Sequence, residues 1–437
     1  MTSSIERLIV PNRGEIAVRI ARACREMGIE SVLAHAEDDD VRYVRRFFDR
    51  AISLGSGDAR ATYLNVGRVI DAAREAGADA LHPGYGFLSE RAELAAACDD
   101  AGIVFVGPKA SSIEAMGSKA ESRQLMSSHG VPVVPGYDGE DQNVNTLTTE
   151  AERIGFPLLV KASAGGGGKG MKIVRAREEL QAAIESARRE ASKAFGNDRL
   201  LLERYIEEPR HVEFQIFGDT HGNLVHLFER DCSIQRRHQK VVEETPAPRY
   251  SDDLRQRMAQ AALAAARGVD YVNAGTVEFI VTPEGEFYFL EMNTRLQVEH
   301  PVTEQVTGLD MVRAQLLVAS GEPLPWLSPS ITQRGHAIEA RVYAEDSAKG
   351  FLPQAGRLLL YREPSMPGIR IDSGVVEGSE IPVHYDSMIA KVVATATTRD
   401  EAIARLMCAL REFPILGVQT NVPFLLRVLD HPRFRAG

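Results

Sequence analysis

The sequence predicts an α/β domain with a parallel sheet at the N-terminus, a larger α+β body, and a mixed α+β region at the C-terminus. Three observations support that order. Ile5 to Val10, a helical pattern at Ile16, Ile20, Ala23 and Met27, and Ser31 to His35 form a β-α-β unit, and such units build parallel sheets. Thr276 to Val281 and Phe287 to Leu290 are strand-like runs joined by Thr282-Pro-Glu-Gly-Glu286, as in an antiparallel hairpin. From His336 onward strands and turns dominate, with one amphipathic helix over Asp400 to Glu412. A length of 437 residues suits about three domains.

In the first unit Gly28 fits the end of the helix. The turn Pro11-Asn-Arg-Gly-Glu-Ile-Ala17 holds one glycine, so the G-x-G-x-x-G fingerprint of dinucleotide binding is absent. Asp71 to Ala76 continues a helix and Ala78 to Leu81 a short strand. His82-Pro-Gly-Tyr-Gly-Phe-Leu-Ser-Glu90 is then a glycine-rich loop at a strand end, where open α/β sheets place ligands. Ile103 to Val106 is the last strand, and the domain is expected to span residues 1–115.

Gly130 to Gly136 marks a boundary. Pro157 to Lys161 reads as a buried strand, followed by Ala164-Gly-Gly-Gly-Gly-Lys-Gly170. Successive glycines expose backbone N–H groups to phosphate. Lys169 is followed by Gly170 rather than Ser or Thr, so the run is not a Walker A loop. Leu200 to Ile206 and Glu213 to Phe217 read as strands. Leu224 to Phe228 leads into the charged run Glu229 to Lys240, whose position before Val241 to Pro246 stands against an ordinary solvated loop. Cys232 reads as a packed small residue. Leu254 to Ala266 and Asp310 to Ala319 read as helices. In Ala337 to Tyr343, Glu339, Arg341 and Tyr343 share one face, which alone reads as a half-solvated strand.

The stretch Glu291 to Pro301 is the most informative. If the chain stays extended, Glu291, Asn293, Arg295, Gln297 and Glu299 share one face. A row of polar groups is costly to bury unpaired. A hairpin centred on Glu284 and Gly285 would set Glu278 opposite Glu291, and two carboxylates with the Asn293 oxygen suit a hard cation such as Mg2+. Arg295, further along, could hold an anion.

Composition sets the remaining bounds. A hydrophobic share of 44% and a charged share of 26% are those of a globular protein. A net charge of −10 without a basic run argues against nucleic acid. Cys24, Cys98, Cys232 and Cys408 are scattered, with no C-x-x-C, as in reduced thiols of a cytoplasmic protein. No apolar run reaches the ~18 residues of a membrane span, so no membrane is expected.

Together these segments closely resemble biotin carboxylase, of the ATP-grasp superfamily, over essentially the whole chain. The resemblance rests on Asn12 to Ala17, His82 to Glu90, Lys161 to Met171, Arg230 to Lys240 and, most specifically, Arg-x-Gln-Val-Glu-His at Arg295 to His300. It implies an N-terminal α/β domain over residues 1–115, an ATP-grasp domain over 116–330 with a mobile lid over about 134–205, and a C-terminal domain over 331–437. ATP would lie under the lid. Lys119 and Lys161 would contact its phosphates, and Gly167 and Gly168 would cover them. Glu203, Arg204, Tyr205 and Ile206 would meet the adenine, and His211, Gln235 and His238 would complete the pocket. Glu278, Glu291 and Asn293 would hold Mg2+ or Mn2+, with two ions expected.

The implied reaction is carboxylation of biotin N1 through carboxyphosphate. Lys240, Arg295, Gln297 and Val298 would hold bicarbonate, Glu299 would deprotonate it, and Arg341 would stabilise the biotin enolate beside Tyr85. Implied partners are a biotin carboxyl carrier protein or domain and a carboxyltransferase, in a homodimer or larger assembly. An acyl-CoA is the expected final acceptor, ahead of pyruvate or urea. The chain is either a free subunit or the N-terminal portion of a longer one. Pro11 and Phe47 to Arg50 depart from the usual family pattern, away from every proposed catalytic residue. The alternatives are another ATP-grasp ligase, which biotin would not stimulate, and a silent scaffold, against which the intact set of charged residues weighs.

Overall fold

The computed structural model describes residues 4–163, 171–237 and 239–437. The first unit is a parallel sheet of β1 (Arg7–Val10), β2 (Glu30–His35), β3 (Arg50–Ser53), β4 (Ala80–Leu81) and β5 (Val104–Phe105), in the order β3-β2-β1-β4-β5. The helix Gly14–Met27 buries Ile16, Ala17, Ile20 and Cys24 and stops at Gly28, whose φ of 72° suits glycine. β3 escapes sequence patterning because it is a short edge strand in which only Ile52 is buried. Strand order reverses between β1 and β4, and ligands favour such switch points. Asn12, just past β1, ties the two loops there together: its Nδ2 donates to the carbonyls of Pro83 at 2.7 Å and Tyr85 at 2.8 Å.

A second, antiparallel sheet holds β6 (Gly136–Tyr137), β7 (Leu158–Ala162), β8 (Lys172–Val174) and β9 (Leu200–Arg204), in the order β6-β9-β7-β8. Its core is Leu147, Leu158, Val160, Ile184, Leu200 and Leu202. The glycine run between β7 and β8, with Gly167 and Gly168, lies outside the described residues, as does His238.

The main body is an eight-stranded antiparallel sheet. Its strands are β10 (Arg210–Gly218), β11 (Leu224–Arg236), β12 (Gln239–Thr245), β13 (Asn273–Val281), β14 (Phe287–Asn293), β15 (His336–Tyr343), β16 (Ile369–Ser373) and β17 (Met388–Ala396). The order is β14-β13-β10-β11-β12-β15-β17-β16, and the sheet passes residue 330 without a break. The described parts of the charged run, Glu229 to Arg236 and Gln239 to Lys240, therefore lie on the paired strands β11 and β12 rather than in a solvated loop. One face is apolar: Val212, Phe214 and Phe279 pack under the helix Asp252–Arg267, and Ile338, Ala340 and Val342 under the helix Arg399–Arg411. On the opposite face Glu213, Arg230, Glu243, Glu278, Glu339, Arg341 and Lys391 are all buried. Such a face persists only if its charges are paired or neutralised. No described helix is long and apolar enough to cross a membrane.

Candidate active site

Four charged residues line up in register across the polar face: Arg230 on β11, Glu213 on β10, Glu278 on β13 and Glu291 on β14. The hairpin tip centres on Glu284, since Val281 pairs with Phe287. A bulge beside Glu278 then shifts the register, leaving Leu290 unpaired and setting Glu278 opposite Glu291, as expected from sequence. Lys240 Nζ sits among three carboxylates, 2.5 Å from Glu213, 2.8 Å from Glu278 and 2.7 Å from Glu299. Burial works against its charge, but these acids hold its pKa well above the usual lysine value. Burial also raises Glu278, yet Lys240 and His211 outweigh it and keep that carboxyl below its ordinary range. Glu291 keeps a raised pKa through burial and then the facing Glu278, with Lys119 and Lys240 opposing.

Beyond Asn293 the structure corrects the extended reading. β14 stops there, and residues 294–299 turn away from the ladder. The polar side chains still converge, through side-chain bonds rather than strand alternation. Arg295 donates to Glu90 at 2.9 Å, Gln297 at 2.8 Å and Asn293 at 3.1 Å. Gln297 Nε2 donates to Glu278 at 3.2 Å. Glu299 is fully buried at the entrance of the helix His300–Thr307. Its Oε1 accepts from Lys240 at 2.7 Å and its Oε2 from Arg341 at 2.9 Å. Burial pulls its pKa up, but Lys240, Arg341 and Arg230 hold it well below the usual carboxylate range. Cys232 Sγ lies 3.8 Å from Glu299, in the same buried cell.

β15 is likewise not half-solvated. It lies between β12 and β17, and Glu339, Arg341 and Tyr343 are all buried. Arg341 reaches a cavity of about 420 Å3 also lined by Tyr85, Phe87, Arg295, Tyr343 and Tyr385. Val298 lines the same cavity, and its carbonyl accepts from Lys391 at 2.9 Å.

The expected nucleotide residues are brought together only in part. His211 Nε2 is 2.6 Å from Glu278, and its Nδ1 lies 2.7 Å from Gln235 Nε2. Lys161 pairs with Glu203, which also accepts from Arg123 at 2.9 Å. Arg204 donates to Tyr288 at 2.7 Å, and the Tyr205 N–H is taken by the Pro157 carbonyl at 3.0 Å. Ile206 follows β9, and Lys119 opens the helix Lys119–Ser128.

Comparison with known proteins agrees with this geometry. Residues 4–113 match the family model "Biotin carboxylase, N-terminal domain", 118–327 "Carbamoyl-phosphate synthase L chain, ATP binding domain", and 339–437 "Biotin carboxylase C-terminal domain". Biotin carboxylase 1 of Bacillus subtilis is 48% identical over 99% of this chain and 96% of its own. The chain belongs to the biotin carboxylase family. The mitochondrial methylcrotonoyl-CoA carboxylase alpha subunit of Glycine max is 50% identical over 99% of this chain, which spans only 59% of that protein. The biotin carboxylase domain dimer of Hydrogenobacter thermophilus 2-oxoglutarate carboxylase, solved with MgADP, ADP and bicarbonate, superposes with a TM-score of 0.94. It is 45% identical and covers 99% of this chain and 95% of that one.

The residues of this chain fit a divalent cation. Glu278 and Glu291 oppose each other, and their oxygens are the hard ligands that Mg2+ or Mn2+ prefers. Asn293 as placed turns Nδ2 to Glu278 at 2.8 Å and Oδ1 to Arg295, so it joins an oxygen set only with its amide reversed. Sequence reasoning missed Glu213, Arg230, Glu90, Glu243 and Lys391. Glu213 carried the signal that revealed Glu278, a lone acid between apolar strand neighbours Val212 and Phe214. Glu90 closes the glycine-rich loop His82 to Glu90, but only the fold brings it to Arg295.

Proposed function

We propose that this chain carboxylates N1 of carrier-borne biotin from ATP and bicarbonate, as the first half-reaction of a biotin-dependent carboxylase. The observation that carries the reading is Glu299, whose two oxygens join Lys240 at the carboxylate row to Arg341 at the cavity. Lys240, Arg295, Gln297 and the Val298 backbone hold bicarbonate between them, and Glu299 removes its proton. In the arrangement described, Lys240 and Arg341 depress the basicity of Glu299. A bound anion draws those cations off and so raises the carboxylate's proton affinity. The carbonate oxygen attacks the γ-phosphorus as ADP leaves, and Lys119, Lys161 and Lys240 balance the moving charge. Carboxyphosphate splits to CO2 and phosphate, the phosphate takes the biotin N1 proton, and N1 bonds to CO2. Arg341 meets the charge on the ureido oxygen, and Tyr85 walls the ring. Glu203, Arg204, Tyr205 and Ile206 flank the adenine, and His211 and Gln235 complete its pocket. Glu278, Glu291 and Asn293 hold the metal, which when bound offsets phosphoryl charge.

The proposed division is 1–115, 116–330 with a lid over about 134–205, and 331–437. The proposed partners are a biotin carboxyl carrier and a carboxyltransferase, with the chain as a homodimer or part of a larger assembly. The acyl-CoA carboxylase subunits among its relatives support an acyl-CoA as final acceptor. Phosphate release from ATP should require bicarbonate and rise on adding free biotin; no biotin stimulation would favour another ATP-grasp ligase. Glu291→Gln removes one of the opposed carboxylates. The Mg2+ concentration for half-maximal ATP cleavage should rise at least ~10-fold, and an unchanged requirement would contradict the metal assignment.

A further inference from the structure

Behind Arg341 the sheet buries two carboxyl groups that the reaction above does not use. Glu243 on β12 and Glu339 on β15 are direct cross-strand partners. Their Cβ atoms therefore lie about 5 Å apart, and both side chains are wholly buried. Glu243 Oε1 is 2.5 Å from Arg341 Nη2, the nitrogen that also donates to Glu299. The contact lies off the hydrogen-bond angle: among the described residues no oxygen of Glu243 or Glu339 has a hydrogen-bond donor.

Every element packed here contributes charge. Arg341 shares β15 with Glu339, and Lys240 shares β12 with Glu243. Lys391 stands opposite Arg341 on β17, 3.1 Å from Glu15 of the N-terminal helix and 3.8 Å from Asp372 on β16. Arg370 pairs with Asp372 at 2.8 Å and with Glu304 of the helix His300–Thr307 at 2.7 Å; Glu304 also meets Arg19 at 2.8 Å and lies 4.0 Å from His300. Glu15, Glu243, Glu299, Glu304, Glu339 and Asp372 thus meet Arg341, Lys391, Arg370 and Arg19, while Lys240 is shared with Glu213 and Glu278. Fully ionised, this buried cluster carries excess negative charge, which burial strongly disfavours. Two facing carboxylates relieve it by keeping a proton.

We propose that Glu243 and Glu339 hold one proton between them at neutral pH and act as a positioning pair for Arg341. The ionised member anchors the guanidinium. The retained proton stops the pair from pulling Arg341 away from Glu299 and the biotin cavity. Burial pushes Glu243 up to about 7 against the pull of Arg341, and burial pushes Glu339 well above the ordinary range against Lys391. As pH rises past neutrality the pair gains its second charge, Arg341 shifts towards it, and biotin-dependent turnover falls.

The proposal rests on Arg341 facing biotin, so the test has one readout that does not. Infrared difference spectra of the whole chain across neutral pH should show the C=O band of an un-ionised buried acid, and Glu339→Gln should remove it. Glu15→Gln serves as the control, because burial also brings Glu15 to about 7. In kinetics, Glu243→Gln should raise the KM for free biotin ~10-fold and leave the KM for ATP in place. Glu339→Gln, which copies the un-ionised acid, should move the alkaline limb of biotin-dependent turnover upward. No band assignable to Glu339 overturns the shared proton. A band with an unmoved biotin KM and alkaline limb overturns the positioning role. Failure of the underlying reading shows separately, as no biotin stimulation in the unsubstituted chain.

Discussion

Glu299→Gln should lower bicarbonate-dependent ATP cleavage by roughly 100- to 10,000-fold, the usual contribution of a general base. The substitution keeps the shape of the side chain but removes its charge and its capacity to take a proton, and turns one of the two oxygens that accept from Lys240 and Arg341 into a donor. It should also fold. Lys240 retains Glu213 and Glu278, and Arg341 retains Glu243, so no buried cation is stranded. Phosphate release with and without bicarbonate measures the effect, alongside an ATP affinity that stays near that of the unsubstituted chain. A variant that cleaves ATP at full rate in response to bicarbonate would remove Glu299 from the role of base.

Arg341→Ala should lower biotin carboxylation by roughly 100- to 1,000-fold while sparing ATP affinity. Arg341 contacts Glu299, Glu243 and the cavity, whereas His211 and Gln235 lie with Glu278 towards the other end of the sheet. Truncation also leaves Glu299 and Glu243 buried without this cation, so stability should fall by about 3–5 kcal/mol. Urea unfolding measures that loss, and biotin-dependent against biotin-independent ATP cleavage measures the chemistry. Equal loss of nucleotide affinity would contradict the placement of Arg341 at the biotin step.

Much of this was legible because strands write their faces into sequence. Glu278 stood out as a single acid in an apolar run, and the turn at Glu284 and Gly285 gave its partner Glu291. That register needed a bulge at Leu290 which no residue type announces. Arg295, Gln297 and Glu299 were grouped correctly for an incomplete reason. Period-2 alternation ends at Asn293, and Arg295 then gathers its neighbours by hydrogen bonds. The environment of Arg341 was not legible. Its strand alternates like an exposed one, and only long-range packing of β12, β17 and the helix Gly14–Met27 shows that the polar face is inside. Glu243 and Lys391 were missed for the same reason, since their partners are distant in sequence and charge alone does not reveal burial.

The eight-stranded sheet makes the C-terminal strands a poor candidate for exchange as a separate cassette. A cut between β12 and β15 would bare two long ladder edges, each a template for promiscuous pairing. It would also part Glu243 from Glu339. Recombination among related carboxylases would therefore have to inherit this body whole, varying instead in what is attached at its ends or carried on its surface loops.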